Sequence, residues 1–377
     1  MAKQKKKIYI VVIILLFIFY FFIAARPIPN ETVLSCRWIS ALTDSRYNDE
    51  MNVFSGNESG QLLPFILGNR FGFVDKAGQF AVNRINYNNV YLGKDSWAEY
   101  EAEPANIEIR NIFGDIIINI ENPGGYPVLL DNRVFIFGSE QNSLSEIGPG
   151  GNVLWTYEFG APLTCIDAAS GLLLTGSLDG AIEIINSEGR RIFYFEPGGS
   201  QYDVILGCAI SGNGSRLGII CGINPQRFLL LERLGANGDY RIVYHEFLEG
   251  SFRRPVHISF IDEDRRIVYE RDGGIGSYNI RSRRGIFIPL RGNITVMDKS
   301  GADGLLFMIA SHPNNLNEFI GIKFPQDRRF FSGLFYSQEP VFIKASFKSD
   351  DVFLGRSGPM LVAGGGSALI SFNLEDK

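Results

Sequence analysis

The chain has 377 residues, of which 45% are hydrophobic, enough to form the core of one large domain or two ordinary ones. Its three histidines leave little material for imidazole-based catalysis or metal binding, and its net charge of −5 argues against a nucleic acid partner. The 42 glycines are typical of a chain in which many tight turns join short strands.

The N-terminus has the pattern of a membrane signal anchor. Four lysines lie within residues 1–7, and an uncharged apolar run follows at 8–25. A helix of about 18 residues spans about 27 Å, close to the roughly 30 Å hydrocarbon core of a bilayer. The positive-inside rule predicts a cytoplasmic tail at 1–7 and a single crossing of the inner (cytoplasmic) membrane at 8–25. Cleavage as a signal peptide is the alternative, although the apolar part of such peptides usually has about 7–15 residues.

Everything after residue 25 is therefore predicted to be extracytoplasmic. Four of the 36 basic residues precede the apolar run, so this part of the chain has 32 basic residues against 41 acidic ones. Residues 26–50 are predicted to be a tether, within which Val33–Ile39 has the composition of a strand.

Short apolar runs separated by glycine-containing turns recur along residues 51–377, with a period of about 40 residues. The runs are rich in β-branched and aromatic residues and are bounded by Gly, Asn, Asp and Pro, which indicates strands rather than helices. The clearest repeat, at 162–199, contains four such runs. Asp179, Gly180 and Gly189 are predicted to form its turns, and Trp155 is predicted to pack between repeats.

These residues resemble the repeats of WD40-like and quinoprotein-like (PQQ-type) β-propellers. The resemblance rests on Gly176–Gly180, on the Ile182–Gly189 stretch that follows it, and on Gly151–Trp155, which is similar to the Gly-x-x-x-Trp end of a quinoprotein-type repeat. It implies an all-β propeller of four-stranded blades over 51–377, preceded by one transmembrane helix. Eight blades fit the repeats best and seven are the alternative. The last repeat has three strands, and Val33–Ile39 is predicted to complete it and close the ring.

Two of the four cysteines are predicted to be buried thiols. Cys165 and Cys208 occupy the same point of successive repeats, inside apolar strands, where thiols act as small hydrophobic side chains. Cys36 and Cys221 complete the set, and no disulfide is predicted among them, although the exported side of a membrane is oxidising.

The sequence does not indicate catalytic, cofactor-binding or metal-binding residues. His245, His257 and His312 do not occur in the H-x-H or H-E-x-x-H spacing of metal sites, and the Asp-Gly pairs lack the spacing of calcium loops. Quinoprotein enzymes bind a quinone and Ca²⁺ centrally, and no residues here can be assigned to those ligands. The resemblance therefore implies the fold without the redox activity.

Paired arginines recur at the predicted turns and strand entries. Arg253, Arg254, Arg283 and Arg284 are predicted to gather on one face of the disc, where they would meet an anionic partner. The alternative is that they are turn residues that keep the surface soluble.

The sequence thus predicts a membrane-anchored, non-enzymatic scaffold that binds an unidentified protein or peptide through its loops. Among exported propellers it is most similar in kind to the bacterial subunit that assists outer-membrane barrel assembly, which implies a role in envelope assembly. The alternative is an enzyme that uses the central pocket, as a hydrolase, a lyase or a quinone-dependent oxidoreductase. Its acids would come from the inner strands, which offer mainly Asp167 and Asp203.

Overall fold

The computed structural model describes residues 9, 11–18, 20, 32–43, 62–235, 239–250, 252–301, 304–324, 340–358 and 360–376. Residues 9, 11–18 and 20 are helical, and no helix in this described part is long and apolar enough to cross a membrane. The predicted tail at 1–7 lies outside the described residues, as do parts of the predicted anchor at 8–25 and of the tether at 26–50. Residues 36–373 form one compact unit, and residues 1–35 with 374–377 form another.

Short strands alternate with turns along the whole described chain after residue 31. The first sixteen are β1 (Thr32–Ala41), β2 (Leu63–Leu67), β3 (Arg70–Val74), β4 (Phe80–Ile85), β5 (Asn89–Leu92), β6 (Ser96–Tyr100), β7 (Asn106–Asn111), β8 (Ile116–Glu121), β9 (Gly125–Leu130), β10 (Arg133–Gly138), β11 (Ser143–Ile147), β12 (Val153–Glu158), β13 (Leu163–Ala169), β14 (Leu172–Ser177), β15 (Ile182–Ile185) and β16 (Arg191–Phe195).

The remaining strands are longer on average, and one 3₁₀ turn, η1 (Pro313–Asn315), interrupts them. They are β17 (Tyr202–Ile210), β18 (Arg216–Ile223), β19 (Gln226–Arg233), β20 (Tyr240–Leu248), β21 (Ile258–Ile261), β22 (Arg266–Arg271), β23 (Gly274–Asn279), β24 (Arg284–Pro289), β25 (Asn293–Met297), β26 (Leu305–His312), β27 (Leu316–Lys323), β28 (Val341–Lys348), β29 (Val352–Ser357), β30 (Met360–Gly365) and β31 (Ala368–Asp376).

The strands form eight sheets, one for each predicted repeat. Blade 1 is β2–β4, blade 2 is β5–β8, blade 3 is β9–β12, blade 4 is β13–β16, blade 5 is β17–β20, blade 6 is β21–β24, blade 7 is β25–β28, and blade 8 is β29–β31 with β1. The prediction of an all-β, eight-bladed propeller is confirmed. It succeeded because most of the described turns carry residues that adopt a positive φ, such as Gly180 (φ 91°) and Gly189 (φ 74°).

Each blade is an antiparallel meander, so its connections alternate between two ends. At the crossover end the chain passes from the outer strand of one blade to the inner strand of the next, and the turn between the second and third strands lies there too. The other two turns of each blade lie at the hairpin end. This alternation decides which loops share a face of the disc.

Blade 8 takes strands from both ends of the chain. The sequence places the missing strand at Val33–Ile39, and the fourth strand of the sheet is β1, Thr32–Ala41. The backbone N–H of Leu42, just after β1, donates to the carbonyl of Ser367 in the β30–β31 turn at 2.8 Å. The outer edge of β31 is thereby paired with β1.

Blade 1 has three described strands, and comparison with blade 4 shows which positions of a four-stranded blade they occupy. In blade 4 the turn before the outer strand contains Gly189, and Trp155 of the preceding blade donates its indole N–H to Ser187 O at 3.2 Å. In blade 1 the β3–β4 turn contains Gly78, and Trp38 of blade 8 donates to Lys76 O at 3.0 Å. Strands β2, β3 and β4 therefore correspond to the second, third and outer strands. Among the described residues, no strand occupies the inner position of this blade.

The core lies between blades rather than within them. Ile182 and Ile184 of blade 4 pack with Ile205, Leu217 and Ile219 of blade 5 in one cluster, and all five side chains are fully buried. Burial of each such side chain stabilises the fold by about 1.5–3 kcal/mol relative to its exposure. Because both faces of most sheets are covered, the middle strands are nearly continuous apolar runs.

Candidate functional site

A groove lies at the crossover end of blades 6 and 7. Its volume is about 690 Å³, within the range of about 300–1,000 Å³ that is typical of ligand sites. Blade 6 contributes the β22–β23 turn and the link from β24 to β25, and blade 7 contributes its second, third and outer strands. The lining residues are Gly273, Pro289, Leu290, Arg291, His312, Leu316, Glu318, Lys344 and Ser346.

Strand register places the blade 7 residues of this groove on one surface. Leu316 lies opposite His312 on β26, and Glu318 lies opposite Ser346 on β28. Lys344, two residues from Ser346, points to the same side of the sheet because side chains alternate with a period of two. The blade 7 wall is therefore a row of polar side chains with one leucine, and Leu316 is 38% exposed.

Glu318 lies within ion-pair distance of two basic side chains of the groove. Its Oε1 lies 3.5 Å from Lys344 Nζ, and its Oε2 lies 3.8 Å from His312 Nε2. The Lys344 ammonium also lies 5.8 Å from the ring centroid of Phe342. Arg291, on the blade 6 side, is exposed and has no ion-pair partner among the described residues. One carboxylate thus contacts an ammonium and an imidazole, and Arg291 lines the same groove.

Glycine is required at position 292 for the shape of this groove. Gly292 has φ 85°, and a Cβ atom there would lie 2.8 Å from Ser311 O and 2.9 Å from His312 Cε1. The link between the blades therefore passes close to the imidazole, and Leu290 (7% exposed) is buried where the link meets the core. Arg291 is left between a buried leucine and a close-packed glycine, at the edge of the groove.

The sequence profile of a family described as beta-propeller protein matches residues 1–373 of the chain. The chain belongs to this β-propeller family. A protein of Treponema pallidum (strain Nichols), described as uncharacterized, is 28% identical to this chain over 237 residues. That alignment includes 63% of this chain and 62% of the relative, so the chain matches less than two thirds of the relative's length.

Solved structures resemble the propeller in fold. BamB from Moraxella catarrhalis aligns with a TM-score of 0.55 at 10% identity, over 90% of this chain and all of BamB. The computationally designed protein Ika8 also aligns with a TM-score of 0.55, at 11% identity, over 84% of this chain and 98% of Ika8. At these identities the likeness concerns the fold alone.

The predicted repeat markers of the propeller act in turns and in packing between blades. The carboxylate of Asp179 accepts hydrogen bonds from Ser177 Oγ and, at 3.4 Å, from the N–H of Ala181, which closes the hairpin around Gly180. The indole of Trp155 lies over Gly189, as described for blade 4. These residues are remote from the groove.

The four predicted arginines do not form one surface. Arg253 and Arg254 lie in the link between β20 and β21, at the crossover end of blade 6, whereas Arg283 and Arg284 lie at its hairpin end. Because the strands of the blade run from one end to the other, the two pairs of arginines lie about one strand length apart. Arg254 is also paired with Glu270, through an Nη1–Oε2 contact of 3.1 Å, so its charge is already matched.

The inner strands carry a carboxyl with a perturbed pKa. Burial raises the pKa of Asp167, while the hydrogen bond from the N–H of Ile210 (2.9 Å) and the charge of Lys299 act in the opposite direction. Asp203, the other acid predicted there, is exposed and packs near Gly180. Across the ranges that the structure describes, no group of three or more His, Cys, Asp or Glu side chains is placed to hold a metal ion.

The four cysteines are free thiols, of which Cys208 and Cys221 are buried, Cys165 is half-buried and Cys36 is exposed. The pKa of the Cys208 thiol is raised by its hydrogen bond with the Cys165 thiol of the neighbouring inner strand and by burial. Burial also raises the pKa of Cys221 to about 11. Both groups are therefore protonated at neutral pH.

Sequence reasoning missed most of the groove. It considered His312 only as a metal ligand, and it did not single out Arg291, Glu318 or Lys344. These residues come from three stretches of the chain with no shared motif. The one available signal was the alternate spacing of the polar residues Lys344 and Ser346, which indicates an exposed strand face but not the blade that lies next to it.

Proposed function

We propose that this protein is a membrane-anchored, extracytoplasmic scaffold that binds a protein partner in the groove between blades 6 and 7. The groove carries the proposal, because it combines an exposed leucine, Leu316, with charged side chains from three strands and a link. Recognition by loops and strand ends on a rigid support is the usual way in which such scaffolds bind. Catalysis is not part of this proposal.

The dimensions of the groove suit a segment of polypeptide. His312, Glu318 and Lys344 belong to three successive strands, and neighbouring strands lie about 4.8 Å apart, so the wall is about 10 Å long. An extended chain advances about 3.3 Å per residue, so three or four residues of a partner fill this length. Strand-like segments laid in a groove are a common mode of peptide recognition.

The location is the second part of the proposal. The four lysines in 1–7 and the apolar run at 8–25 support a single anchor with the propeller on the outer side of the inner membrane. We further propose that the partner belongs to the cell envelope and that the complex serves envelope assembly. A domain held at that surface meets envelope proteins before any others.

Deletion of residues 2–25 tests the anchor. We expect the full-length protein to remain in the membrane pellet after a carbonate wash, and the truncated protein to be recovered in the supernatant. Protease added to intact spheroplasts should digest the propeller of the full-length protein and leave a cytoplasmic marker protein intact. Recovery of the full-length protein in the soluble fraction, or protection of the propeller from protease, would contradict this part.

Leu316→Glu tests the binding groove. The substitution puts a charge on the exposed apolar side chain of the groove wall, and we expect the amount of co-purified partner to fall at least about fivefold, equivalent to about 1 kcal/mol. The matched control is Leu178→Glu. Leu178 is 56% exposed and lies at the same crossover end, in the corresponding turn of blade 4.

Affinity purification of the tagged full-length protein from detergent-solubilised membranes provides the measurement. The proposal requires a partner that the wild type and Leu178→Glu retain and that Leu316→Glu loses, with similar thermal unfolding midpoints for the three proteins. Equal recovery from both variants would exclude the groove as the binding site.

A further inference from the structure

The charges that line the groove are unlike those of the protein as a whole. The chain has a net charge of −5, yet Arg291 and Lys344 line the groove together with His312, and Glu318 is the only acid among its described lining residues. A local excess of positive charge favours a partner segment that presents negative charge, and it disfavours contact between the grooves of two copies of this chain. This charge pattern indicates the chemistry of the occupant.

We infer that the groove binds an extended acidic segment of a partner protein, in which Arg291 and Lys344 pair with the partner's carboxylates and Glu318 competes with them. This inference rests on the proposed function and specifies the partner. Arg291 is the primary contact, because its guanidinium is exposed and lacks an ion-pair partner in the described chain. A guanidinium also binds a carboxylate through two parallel hydrogen bonds, which an ammonium does not offer.

In the free protein, the Glu318 carboxylate occupies the position next to Lys344 that a carboxylate of the partner would take in the complex. Its contacts with Lys344 (3.5 Å) and His312 (3.8 Å) are long for ion pairs, and 46% of the Lys344 side chain is exposed. Exposed pairs of this kind contribute only about 0–1 kcal/mol, so an incoming carboxylate can replace Glu318 at Lys344 at little cost. The internal carboxylate then lowers the affinity for acidic segments by a small factor.

The apolar part of the lining specifies the rest of the segment. Leu316 is exposed, and Pro289 and Leu290 form the facing wall. A partner therefore needs aliphatic side chains between its acidic ones. A short segment that contains both Leu and Glu or Asp supplies both kinds of side chain.

A direct binding measurement tests the inference. Full-length protein in detergent is titrated against a fluorescein-labelled peptide, Leu-Glu-Leu-Asp-Leu, and against its uncharged counterpart, Leu-Gln-Leu-Asn-Leu, by fluorescence anisotropy. We expect only the acidic peptide to bind measurably, and its Kd to increase as salt is raised from about 50 to about 300 mM. Arg291→Ala should raise the Kd about fivefold.

Glu318→Gln is the variant that distinguishes a competing carboxylate from a structural one. It frees Lys344 and His312 and leaves the size of the side chain unchanged, so we expect the Kd for the acidic peptide to fall about threefold. Arg284→Ala is the matched control, because Arg284 is also exposed but lies at the hairpin end of blade 6, and the Kd should not change. Thermal unfolding of every variant shows whether the fold is intact.

Three outcomes would overturn the inference: equal binding of the two peptides, weaker binding by Glu318→Gln, or an Arg291-dependent preference for vesicles that contain about 30% phosphatidylglycerol over the peptide. The proposed function is tested separately, by the recovery of a partner with the Leu316→Glu and Arg291→Ala variants. If Leu316→Glu loses a partner that Arg291→Ala retains, the groove binds protein but not through carboxylates. If neither loses one, the groove is not the site.

Discussion

Gly189→Ala is expected to lower the free energy of unfolding by about 3 kcal/mol, because two penalties act on the same atom. The residue has φ 74°, and an added Cβ would lie 2.6 Å from Cγ of Trp155. The indole cannot move away without breaking its hydrogen bond to Ser187 O and the packing between blades 3 and 4. Urea denaturation followed by tryptophan fluorescence measures the loss.

Gly171→Ala is the matched control for the backbone part of that penalty. Gly171 has φ 73°, and no atom lies within 4 Å of the position that a Cβ would occupy, so only the strain of the left-handed conformation remains. This variant should lose about 1 kcal/mol. Equal losses in the two variants would mean that Trp155 contributes nothing to the cost. Gly78 beneath Trp38 repeats the arrangement where the ring closes and should behave as Gly189 does.

Glu270→Ala is expected to have an effect of similar size for an electrostatic reason. The Glu270 side chain is 3% exposed, and it accepts hydrogen bonds from Arg254 Nη1 (3.1 Å) and from the N–H of His257 (3.2 Å). Its removal leaves a backbone donor and a guanidinium unmatched. We expect the free energy of unfolding to fall by about 3 kcal/mol. This value is at the lower end of the range for a buried pair, because water still reaches the Arg254 side chain, which is 41% exposed.

Glu188→Ala provides the comparison for an exposed pair. Glu188 contacts Arg190, and their side chains are 63% and 73% exposed, respectively. Screening by solvent leaves such a pair with little net energy, and the free energy of unfolding should change by less than about 0.5 kcal/mol. A loss at Glu188 as large as that at Glu270 would contradict the role of burial. Urea denaturation at fixed pH and salt measures both variants.

The blades could be predicted because the residues that define each blade lie close together in the sequence. In blade 4 the turn residues around Gly180 and Gly189 and the apolar runs between them lie within about 40 residues of each other, and the predicted strands match β13–β16 closely.

The surfaces could not be predicted in this way. A pair of arginines has the same local signature at a link and at a hairpin turn, yet Arg254 and Arg284 lie at opposite ends of one blade because successive strands reverse direction. The groove joins a link near residue 291, a strand pair near 312–318 and an outer strand near 344–346. Nothing in any one of these stretches indicates that the other two are close.

By itself, the amino-acid sequence determined the repeat, the turns and the alternation of buried and exposed positions, because propensity and hydrophobic period act over a few residues. The tertiary structure alone decided which side chains meet. Packing of consecutive blades sets blade 6 against blade 7 and so brings Arg291, Glu318 and Lys344 to one groove, and it places Trp155 over Gly189 between blades 3 and 4. The clearest repeat in the sequence, that of blade 4, thus accounts for stability of the fold. The charged groove depends instead on packing between blades 6 and 7.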